Sequence, residues 1–540
     1  MNSVILGQTL GMIDRLKTVC ANYGLANDSS EYKIITESFL YKYLNDRMLY
    51  ALGQLDEFAD CDGSKAVEER YARLGESDRE LVNFELGNIA IVRPEWMVAT
   101  LYNQSGNPGF AKVFDKALLG IAQDNMDAYA VKAGAESITL FQGVSRFIVE
   151  ENKRDEFCGS LILALADFSF AGAFSQGYDF FSQVFEYLIK DYNKDSGSYG
   201  EYFTPHAIAS IMARILVPDG DRNVTVYDPA AGSGTLVLAL AHQIGEGNCT
   251  VYTQDRSQKA NEFMRLNLIL NGMVGSLANV VHDDTLMAPR HLDADGSLKR
   301  FDYIVSNPPF KCDFSDTRDA LAGEKYAKRF WAGVPNVPAK QPEKMAIYLM
   351  FIQHILYSLK DGGKAAIVVP TGFLTAKSRI ELAIRTKIIE SGMLRGVISM
   401  PSNIFANTGT NVSILFLDSS RQYDDALLMD ASKLGTKEKV GKNHRTVLSD
   451  EEIERIIGVF NDAREEDGFS VLASYESIKS KRYSFSAGQY FEVKIEYTDI
   501  TPEQFQSELA ERMCRLRELW AEGDRLQQEI EERMKAVHIA

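Results

Sequence analysis

The sequence predicts an α/β protein with a helical N-terminal domain, a mainly parallel sheet covered by helices, and a C-terminal helical tail. Three observations support this fold class. Apolar residues recur at helical spacing in the first part of the chain, for example across 34–44. From about residue 224, short apolar runs alternate with helical stretches, as in parallel sheets with helices on both faces. Near the end, apolar residues spaced three to four apart mark one face of a highly charged helix.

Seven apolar runs are the candidate strands, so we expect a seven-stranded sheet. They are 224–228, 251–255, 279–282, 303–306, 364–370, 394–400 and 412–418. The pattern divides the chain into four predicted regions. These are a helical N-terminal domain (1–185), the sheet domain (186–425), a mixed C-terminal extension (426–500) and a terminal helix (501–540).

Composition and charge narrow the possible functions. The 540 residues are 45% hydrophobic and 25% charged, which is typical of a soluble globular protein. We find neither a membrane span nor a secretion signal, so we expect a cytoplasmic protein with no membrane partner. The six cysteines form no CxxC pair, and we predict no bound metal. With a net charge of −17, a nucleic-acid enzyme would need a local basic groove or a partner subunit to hold its substrate.

A glycine-rich turn follows the first candidate strand, in YDPAAGSGT (227–235). It contains Asp228, Gly232, Ser233 and Gly234, and it leads into an apolar helix. Glycines allow a tight turn and close approach of a ligand to the backbone, and a helix N-terminus favours negative charge. A nucleotide or dinucleotide site would look similar, and a tight turn without a ligand is the structural alternative.

Two further acidic residues follow the next two candidate strands. Asp255 lies one strand–helix unit after the turn, where a carboxylate commonly holds the ribose hydroxyls of an adenosine. Asp284, in HDDTL (282–286), could accept a hydrogen bond from an adenine amino group. For both residues the structural alternative is a cap on the segment that follows.

The segment GEYFTPH (200–206) lies just before the sheet domain. Thr204 followed by Pro205 predicts a helix N-cap with proline at the first helical position. That prediction leaves Tyr202 and Phe203 unexplained, and these aromatic residues could cover the apolar parts of a ligand.

The fourth candidate strand ends in SNPPF (306–310). An aryl amine is a poor nucleophile because its lone pair is delocalised into the ring. Asn307 offers a side-chain oxygen and Pro308 a carbonyl oxygen, and acceptors aimed at both N–H bonds would localise that lone pair. Pro308 and Pro309 fix the backbone before a substrate arrives, and Phe310 offers a face for stacking a planar base. An ordinary proline-rich strand exit is the alternative. The long stretch 311–344, which has little periodicity and several cations, should lie beside this turn.

Taken together, these motifs resemble a known family. DPAAGSG followed by SNPPF is similar to the S-adenosyl-L-methionine (AdoMet)-dependent amino-methyltransferases. The wider set closely resembles the modification (M) subunit of type I restriction–modification systems, in the N6-adenine DNA methyltransferase family. That set includes QVFEYLIKDY, GEYFTPHAIASIM, TQD, DDTL, GGKAAIVVPTGFL and LRGVISMPSNIFANTGTNVSILFLD, and the resemblance covers about 175–500.

The resemblance implies a Rossmann-like AdoMet-dependent methyltransferase sheet and methyl transfer from AdoMet to adenine N6 in DNA. It assigns cofactor contacts to the segment Glu201, Tyr202, Phe203, Thr204, Pro205 and His206, to Asp228, to Gly232, Ser233 and Gly234, to Asp255 and to Asp284. It assigns the target base to Asn307, Pro308, Pro309 and Phe310. One residue departs from the family pattern, since Asp283 stands where glycine is common.

Type I systems also imply partners. A separate specificity (S) subunit reads the DNA, two M subunits bind each S subunit, and a restriction (R) subunit is optional. We expect the C-terminal helix to dock the partner, and a helix that packs on the protein's own core is the structural alternative. A freestanding adenine methyltransferase, a protein glutamine N-methyltransferase and a non-catalytic AdoMet-binding subunit are the competing hypotheses.

Overall fold

The computed structural model describes residues 3–26, 30–129, 131–133, 136–176, 178–190, 204–405, 410–420, 423–440, 443–492 and 501–535. The chain forms two compact units, Met1–Tyr490 and Phe491–Ala540. Among the described residues, no helix combines the length and the hydrophobicity that a bilayer crossing requires.

The first part of the larger unit is built from helices, as the apolar spacing predicts. These are α1 (Ser3–Asn22), α2 (Glu31–Leu52), α3 (Gly63–Arg73), α4 (Glu76–Glu85), α5 (Val98–Gln104), α6 (Phe110–Asp124), α7 (Met126–Tyr129), α8 (Arg154–Ala166) and α9 (Tyr178–Lys190). A small hairpin, β1 (Val131–Ala133) and β2 (Glu136–Ile138), interrupts them.

Helices and strands alternate in the sheet region. The strands are β3 (Val224–Asp228), β4 (Cys249–Asp255), β5 (Val280–His282), β6 (Phe301–Ser306), β7 (Leu359–Pro370), β8 (Leu394–Ser399), β9 (Val412–Asp418), β10 (Asp425–Asp430) and β13 (Ser470–Ser474). A separate hairpin pairs β11 (Thr436–Val440) with β12 (Asn443–Val447). The helices are α10 (His206–Leu216), α11 (Thr235–Ile244), α12 (Gln258–Leu270), α13 (Ser315–Leu321), α14 (Tyr348–Ser358), α15 (Arg379–Glu390), α16 (Asp450–Asn461) and α17 (Tyr475–Ser480).

One nine-stranded sheet runs through this region in the order β13-β10-β8-β9-β7-β6-β3-β4-β5. Its parallel pairs are β3 with β4, β4 with β5, β3 with β6, β6 with β7, and β8 with β10. Strand β9 is antiparallel to both of its neighbours, β7 and β8. The carboxyl ends of β3, β4, β6, β7, β8 and β10 therefore meet at one edge of the sheet, which we call the carboxyl edge.

All seven predicted strands are present in this sheet. Two more strands, β10 and β13, extend it on the β8 side, and they begin where the C-terminal extension was predicted. Helix α2 packs against α12, where the Tyr43 hydroxyl donates to the carbonyl oxygen of Leu270 at 3.0 Å. The helical region and the sheet share one apolar core. The domain boundary at residue 185 stays a prediction.

The stretch between β6 and α14 has its own small core. Phe314, Leu321, Phe330 and Val334 are buried together, against Leu286 and the start of α14. The stretch is therefore a packed insert, with helix α13 inside it, where the sequence predicted an irregular loop. We call residues 311–344 the insert.

The smaller unit contains one long helix, α18 (Pro502–Lys535). It lies in the region where the terminal helix was predicted and presents a row of exposed apolar side chains. They are Phe505, Leu509, Met513, Leu516, Leu519, Trp520, Leu526, Ile530 and Met534.

Candidate active site

A buried carboxylate joins the two strands that carry the main motifs. Asp228, at the end of β3, is 1% exposed and accepts hydrogen bonds from Ser306 Oγ and Ala230 N, both at 2.9 Å. Burial raises the pKa of Asp228 to about 7. Because Ser306 directly precedes Asn307, this bond fixes the SNPPF turn against the glycine-rich turn.

The glycine-rich turn needs its glycines for two reasons. Gly232 and Gly234 have positive φ values of 53° and 86°, a conformation that other residues adopt at a cost. A Cβ atom on Gly234 would lie 2.1 Å from Met264 Sδ on α12, so there is no room for a side chain. The carbonyl oxygen of Ser233 accepts a bond from Asn267 Nδ2 at 3.1 Å, which holds the turn on the same helix.

Asp255 braces the glycine-rich turn from the neighbouring strand. Its Oδ2 accepts from Gly232 N at 2.9 Å, and its Oδ1 accepts from Ser257 N at 2.8 Å. Burial raises the pKa of Asp255, and these two backbone donors oppose the rise. The N-cap of α12 is Ser257, whose Oγ accepts from Ala260 N at 3.2 Å. Ser257 and not Asp255 is therefore the N-cap of α12, although Asp255 also binds the Ser257 N–H, and each carboxylate oxygen keeps a lone pair for a ligand.

Asp284 does act as a local cap. Its Oδ1 accepts from Leu286 N at 2.8 Å and from Met287 N at 3.0 Å. Its neighbour Asp283, the departure from the family pattern, points to Arg290, whose Nε lies 2.6 Å from Asp283 Oδ2. The substitution is therefore accommodated by an ion pair outside the cleft.

The amide of Asn307 is oriented by Thr204. Asn307 Nδ2 donates to Thr204 Oγ1 at 3.2 Å, which leaves the side-chain oxygen at the other end of the amide. The predicted capping role of Thr204 is wrong. Helix α10 begins at His206, Pro205 is its N-cap residue, and there is no side-chain capping bond. The Thr204 hydroxyl accepts a hydrogen bond from Asn307, just after β6, and does not cap α10.

The other residues of the SNPPF turn differ in exposure, and Pro309 lines a cavity together with Asn307. Pro308 is buried, Pro309 is exposed and Phe310 is half-buried. The Phe310 ring lies edge-to-face with Tyr348, and the ring centroids are 6.4 Å apart.

Two adjoining cavities meet at Ala230 and Asn307. The smaller is shallow, lies over the glycine-rich turn and is lined by Thr204, Asp228, Ala230, Ala231, Gly232, Ser233, Thr235, Leu236 and Asn307. The larger is open to solvent and has a cavity volume of about 150 Å³. Its lining residues are Pro229, Ala230, Asp255, Arg256, Ser257, Asp284, Thr285, Leu286, Asn307, Pro309, Lys311, Cys312, Ile347 and Phe351. Asn307 thus lies where the two cavities join.

Three predicted site residues, Glu201, Tyr202 and Phe203, lie outside the described residues. His206 is exposed and its ring stacks on Tyr178, with centroids 6.2 Å apart, and it lines neither of these cavities. In the part of the chain that the structure describes, no three His, Cys, Asp or Glu side chains are grouped to hold a metal ion.

Sequence reasoning missed the residues that the insert contributes. The Tyr326 hydroxyl donates to the carbonyl oxygen of Met287 at 2.9 Å. Arg329, buried against the rings of Tyr326 and Phe330, donates to the carbonyl oxygens of Thr285 and Leu286. These bonds from the insert hold residues 285–287 in place. Thr285 and Leu286 line the larger cavity next to Asp284. An Arg–Phe pair in an aperiodic stretch carried no signal of this role.

The fold and the site together define an AdoMet-dependent methyltransferase. The order of the seven predicted strands, with β9 antiparallel, is that of a Rossmann-like methyltransferase sheet, and the methyl donor of this class is AdoMet. The cavities fit this cofactor, because a glycine-rich turn with small side chains adjoins the Asp255 carboxylate, which has lone pairs to spare.

More specifically, the chain belongs to the N-6 DNA Methylase family, whose model matches residues 176–499. The predicted family is therefore confirmed. Similar proteins include the type I restriction enzyme MpnII methylase subunit of Mycoplasma pneumoniae, which is 31% identical over 331 residues, 60% of this chain and 59% of that protein. The HindI methylase subunit of Haemophilus influenzae is 25% identical over 447 residues, 79% of this chain and 92% of that protein. The chain spans 59% of the MpnII subunit and 63% of the MjaIX methylase subunit of Methanocaldococcus jannaschii.

Solved structures show the same fold. The methyltransferase subunit of a type I restriction–modification system from Streptococcus thermophilus superposes with a TM-score of 0.70 at 23% identity, covering 90% of this chain and 100% of that one. A modification subunit of a putative type I restriction enzyme from Vibrio vulnificus gives a TM-score of 0.52 at 16% identity, covering 89% and 96%.

Proposed function

We propose that this chain is the modification subunit of a type I restriction–modification system. In this role it transfers a methyl group from AdoMet to N6 of adenine in DNA. The observation that carries the proposal is the oriented amide of Asn307 at the junction of the two cavities. One cavity would hold the methyl donor, and the acceptor nitrogen would meet it at Asn307.

The cofactor would lie along the carboxyl edge. Gly232 and Ser233 would face its methionine part, since both line the smaller cavity, and Gly234, packed against Met264, would hold the turn in shape. The free lone pairs of Asp255 would accept the ribose hydroxyls, and Asp284 Oδ2 would face the adenine ring. The family resemblance adds the segment 201–206 to these contacts. When bound, AdoMet supplies an electrophilic methyl group.

The target adenine must leave the duplex to enter the cleft. Asn307 Oδ1 and the carbonyl oxygen of Pro308 would accept the two N–H bonds of its amino group. These acceptors would draw the nitrogen towards a tetrahedral geometry and return its lone pair for attack on the methyl carbon. Both are fixed in advance, by Thr204 and by the proline ring, so little reorganisation is needed in the transition state. Phe310 would stack on the base from the rim.

Partner subunits fit the remaining features. A net charge of −17 makes unaided binding to DNA weak, so a specificity subunit would supply sequence readout and much of the affinity. The exposed apolar row of α18 is the proposed docking surface for that subunit. Two copies of this chain per specificity subunit, with an optional restriction subunit, would complete the assembly. Deleting residues 501–540 should abolish assembly, and unchanged assembly would refute the docking role.

Two substitutions test the active-site assignment. Asn307→Ala should abolish transfer from tritium-labelled AdoMet to DNA and leave AdoMet binding nearly unchanged, because it removes only the acceptor. Asp255→Ala should chiefly weaken AdoMet binding, measured by calorimetry. Near-normal turnover of Asn307→Ala would show that the assigned role is wrong.

The same assay separates the competing functions. With DNA as acceptor, labelling only in the presence of the partner subunit supports the type I assignment, and labelling by this chain alone supports a freestanding enzyme. Labelling of a protein glutamine would support the glutamine N-methyltransferase. No labelling of any acceptor would support the non-catalytic AdoMet-binding subunit.

A further inference from the structure

Outside the cleft, positive charge is concentrated on the hairpin β11–β12 and on Lys433, which precedes it. In a chain of net charge −17, residues 433–447 contain five lysine or arginine residues and one acidic residue, Glu438. Lys433, Lys437 and Lys439 are exposed. In the part of the chain that the structure describes, none of these three lysines forms an ion pair. We call Lys433, Lys437 and Lys439 the hairpin lysines.

The pairing of the two strands places like charges on one face. Lys439 lies opposite His444, and Lys437 lies opposite Thr446. Residues two apart on a strand share a face, and so do directly opposed residues. Lys437, Lys439 and the exposed His444 therefore share one face with Thr446, which is buried at the base of the hairpin, whereas Glu438 lies on the other face, opposite Arg445.

The hairpin is held firmly at its base. Thr446 is buried, and its Oγ1 donates to the carbonyl oxygen of Ser402 at 2.6 Å. The backbone N of Thr446 donates to the carbonyl oxygen of Asn403 at 3.0 Å. Just before the other strand, Gly435 N donates to Glu452 Oε1 of α16 at 2.8 Å. An isolated two-stranded hairpin is marginally stable, so these anchors fix the direction in which the lysines project.

Topology places the hairpin at the carboxyl edge. It follows β10, which is parallel to β8, and it is anchored on the segment that follows β8. Strand β10 is four positions from β6, the strand that ends in SNPPF. At about 4.8 Å per strand this is roughly 19 Å, or about six base pairs at 3.4 Å each. A duplex that presents a base at Asn307 and runs along the carboxyl edge towards β10 would pass within reach of the hairpin.

We propose that the hairpin lysines contact the phosphate backbone of DNA that flanks the target base. This inference rests on the proposed function and adds a substrate contact to it. Lysine ammonium groups suit phosphates as point charges, and the shared face offers no acid that would repel them. The contact carries no sequence information, and it supplies the local positive charge that the overall composition lacks.

The test compares Lys437→Gln/Lys439→Gln with the control Lys65→Gln/Lys112→Gln, which removes two exposed lysines from α3 and α6. Each variant is isolated from its native cells as the assembled complex. DNA affinity is measured from 50 to 200 mM salt, on specific and non-specific duplexes. Losing two phosphate contacts should make the slope of log affinity against log salt shallower by about 2. The ratio of wild-type to variant DNA affinity should therefore fall roughly tenfold between 50 and 200 mM salt. The control should keep the wild-type slope.

Methyl transfer and AdoMet binding are measured on the same samples. The proposal is supported if the hairpin variant binds AdoMet as the wild type does and loses DNA affinity equally on the specific and the non-specific duplex. If the wild type methylates DNA and the hairpin variant keeps its affinity and slope, the hairpin proposal is overturned and the proposed function stands. If the wild-type complex neither binds nor methylates DNA, both are overturned.

Discussion

Replacing Thr204 with valine removes the hydroxyl that orients Asn307 and keeps the shape of the side chain. The bond it breaks joins Asn307 Nδ2 to Thr204 Oγ1 at 3.2 Å, in a half-buried setting. Such a neutral hydrogen bond contributes about 1 kcal/mol, because water partly replaces it. If the amide must be aligned only in the transition state, that energy corresponds to about a fivefold fall in kcat.

The assay is steady-state transfer of labelled methyl groups to DNA by the assembled complex, with AdoMet affinity measured separately. Thr204→Val should lower kcat at saturating AdoMet about fivefold. Thr204→Ser keeps an oxygen at the same place and should restore most of the rate. The reasoning fails if Thr204→Val retains wild-type kcat, or if the serine variant loses as much activity as the valine variant.

Two other predictions concern stability. Gly234→Ala places a methyl group 2.1 Å from Met264 Sδ at φ 86°, and should cost about 3 kcal/mol of unfolding free energy. Its control, Gly220→Ala at φ 77° with open space around it, should cost about 1 kcal/mol, and equal melting temperatures for the two variants would contradict this. The pKa of Asp228 is raised to about 7 in the folded chain, so the stability from its protonated form is present at pH 4 and lost as pH rises to 7. Asp228→Asn should therefore show a shallower decline in melting temperature over that range, and parallel curves would exclude this contribution.

The sheet was predictable where its strands are also local hydrophobic runs. Strands 224–228 and 412–418 match the structure at both ends, because each is a mainly apolar run, with one serine or threonine inside it, that ends at an aspartate. Strands β10 and β13 were missed. Their pairing joins segments more than forty residues apart, and the edge strand β13 is only partly buried, so it leaves a weak pattern.

The site was predictable at the level of motifs and not at the level of bonds. The glycine-rich turn, Asp255 and Asn307 do meet at one cleft, as strand order requires. The bond from Asn307 to Thr204 spans 103 positions in the sequence, and local propensity favoured a cap at Thr204 instead. Tyr326 and Arg329, which bond to residues 285–287, lie in the insert. The insert folds around a small core that no periodicity in the sequence reveals.

The bond between Asp228 and Ser306 has a mechanical consequence for catalysis. It ties Asp228, which lines the smaller cavity, to the turn that would receive the acceptor, so the bond limits how far the proposed donor and acceptor positions can move apart. Under the proposed function, the approach of nitrogen to methyl carbon would then rest on movement of the nucleic acid, which loses base stacking and pairing as a nucleotide swings outward.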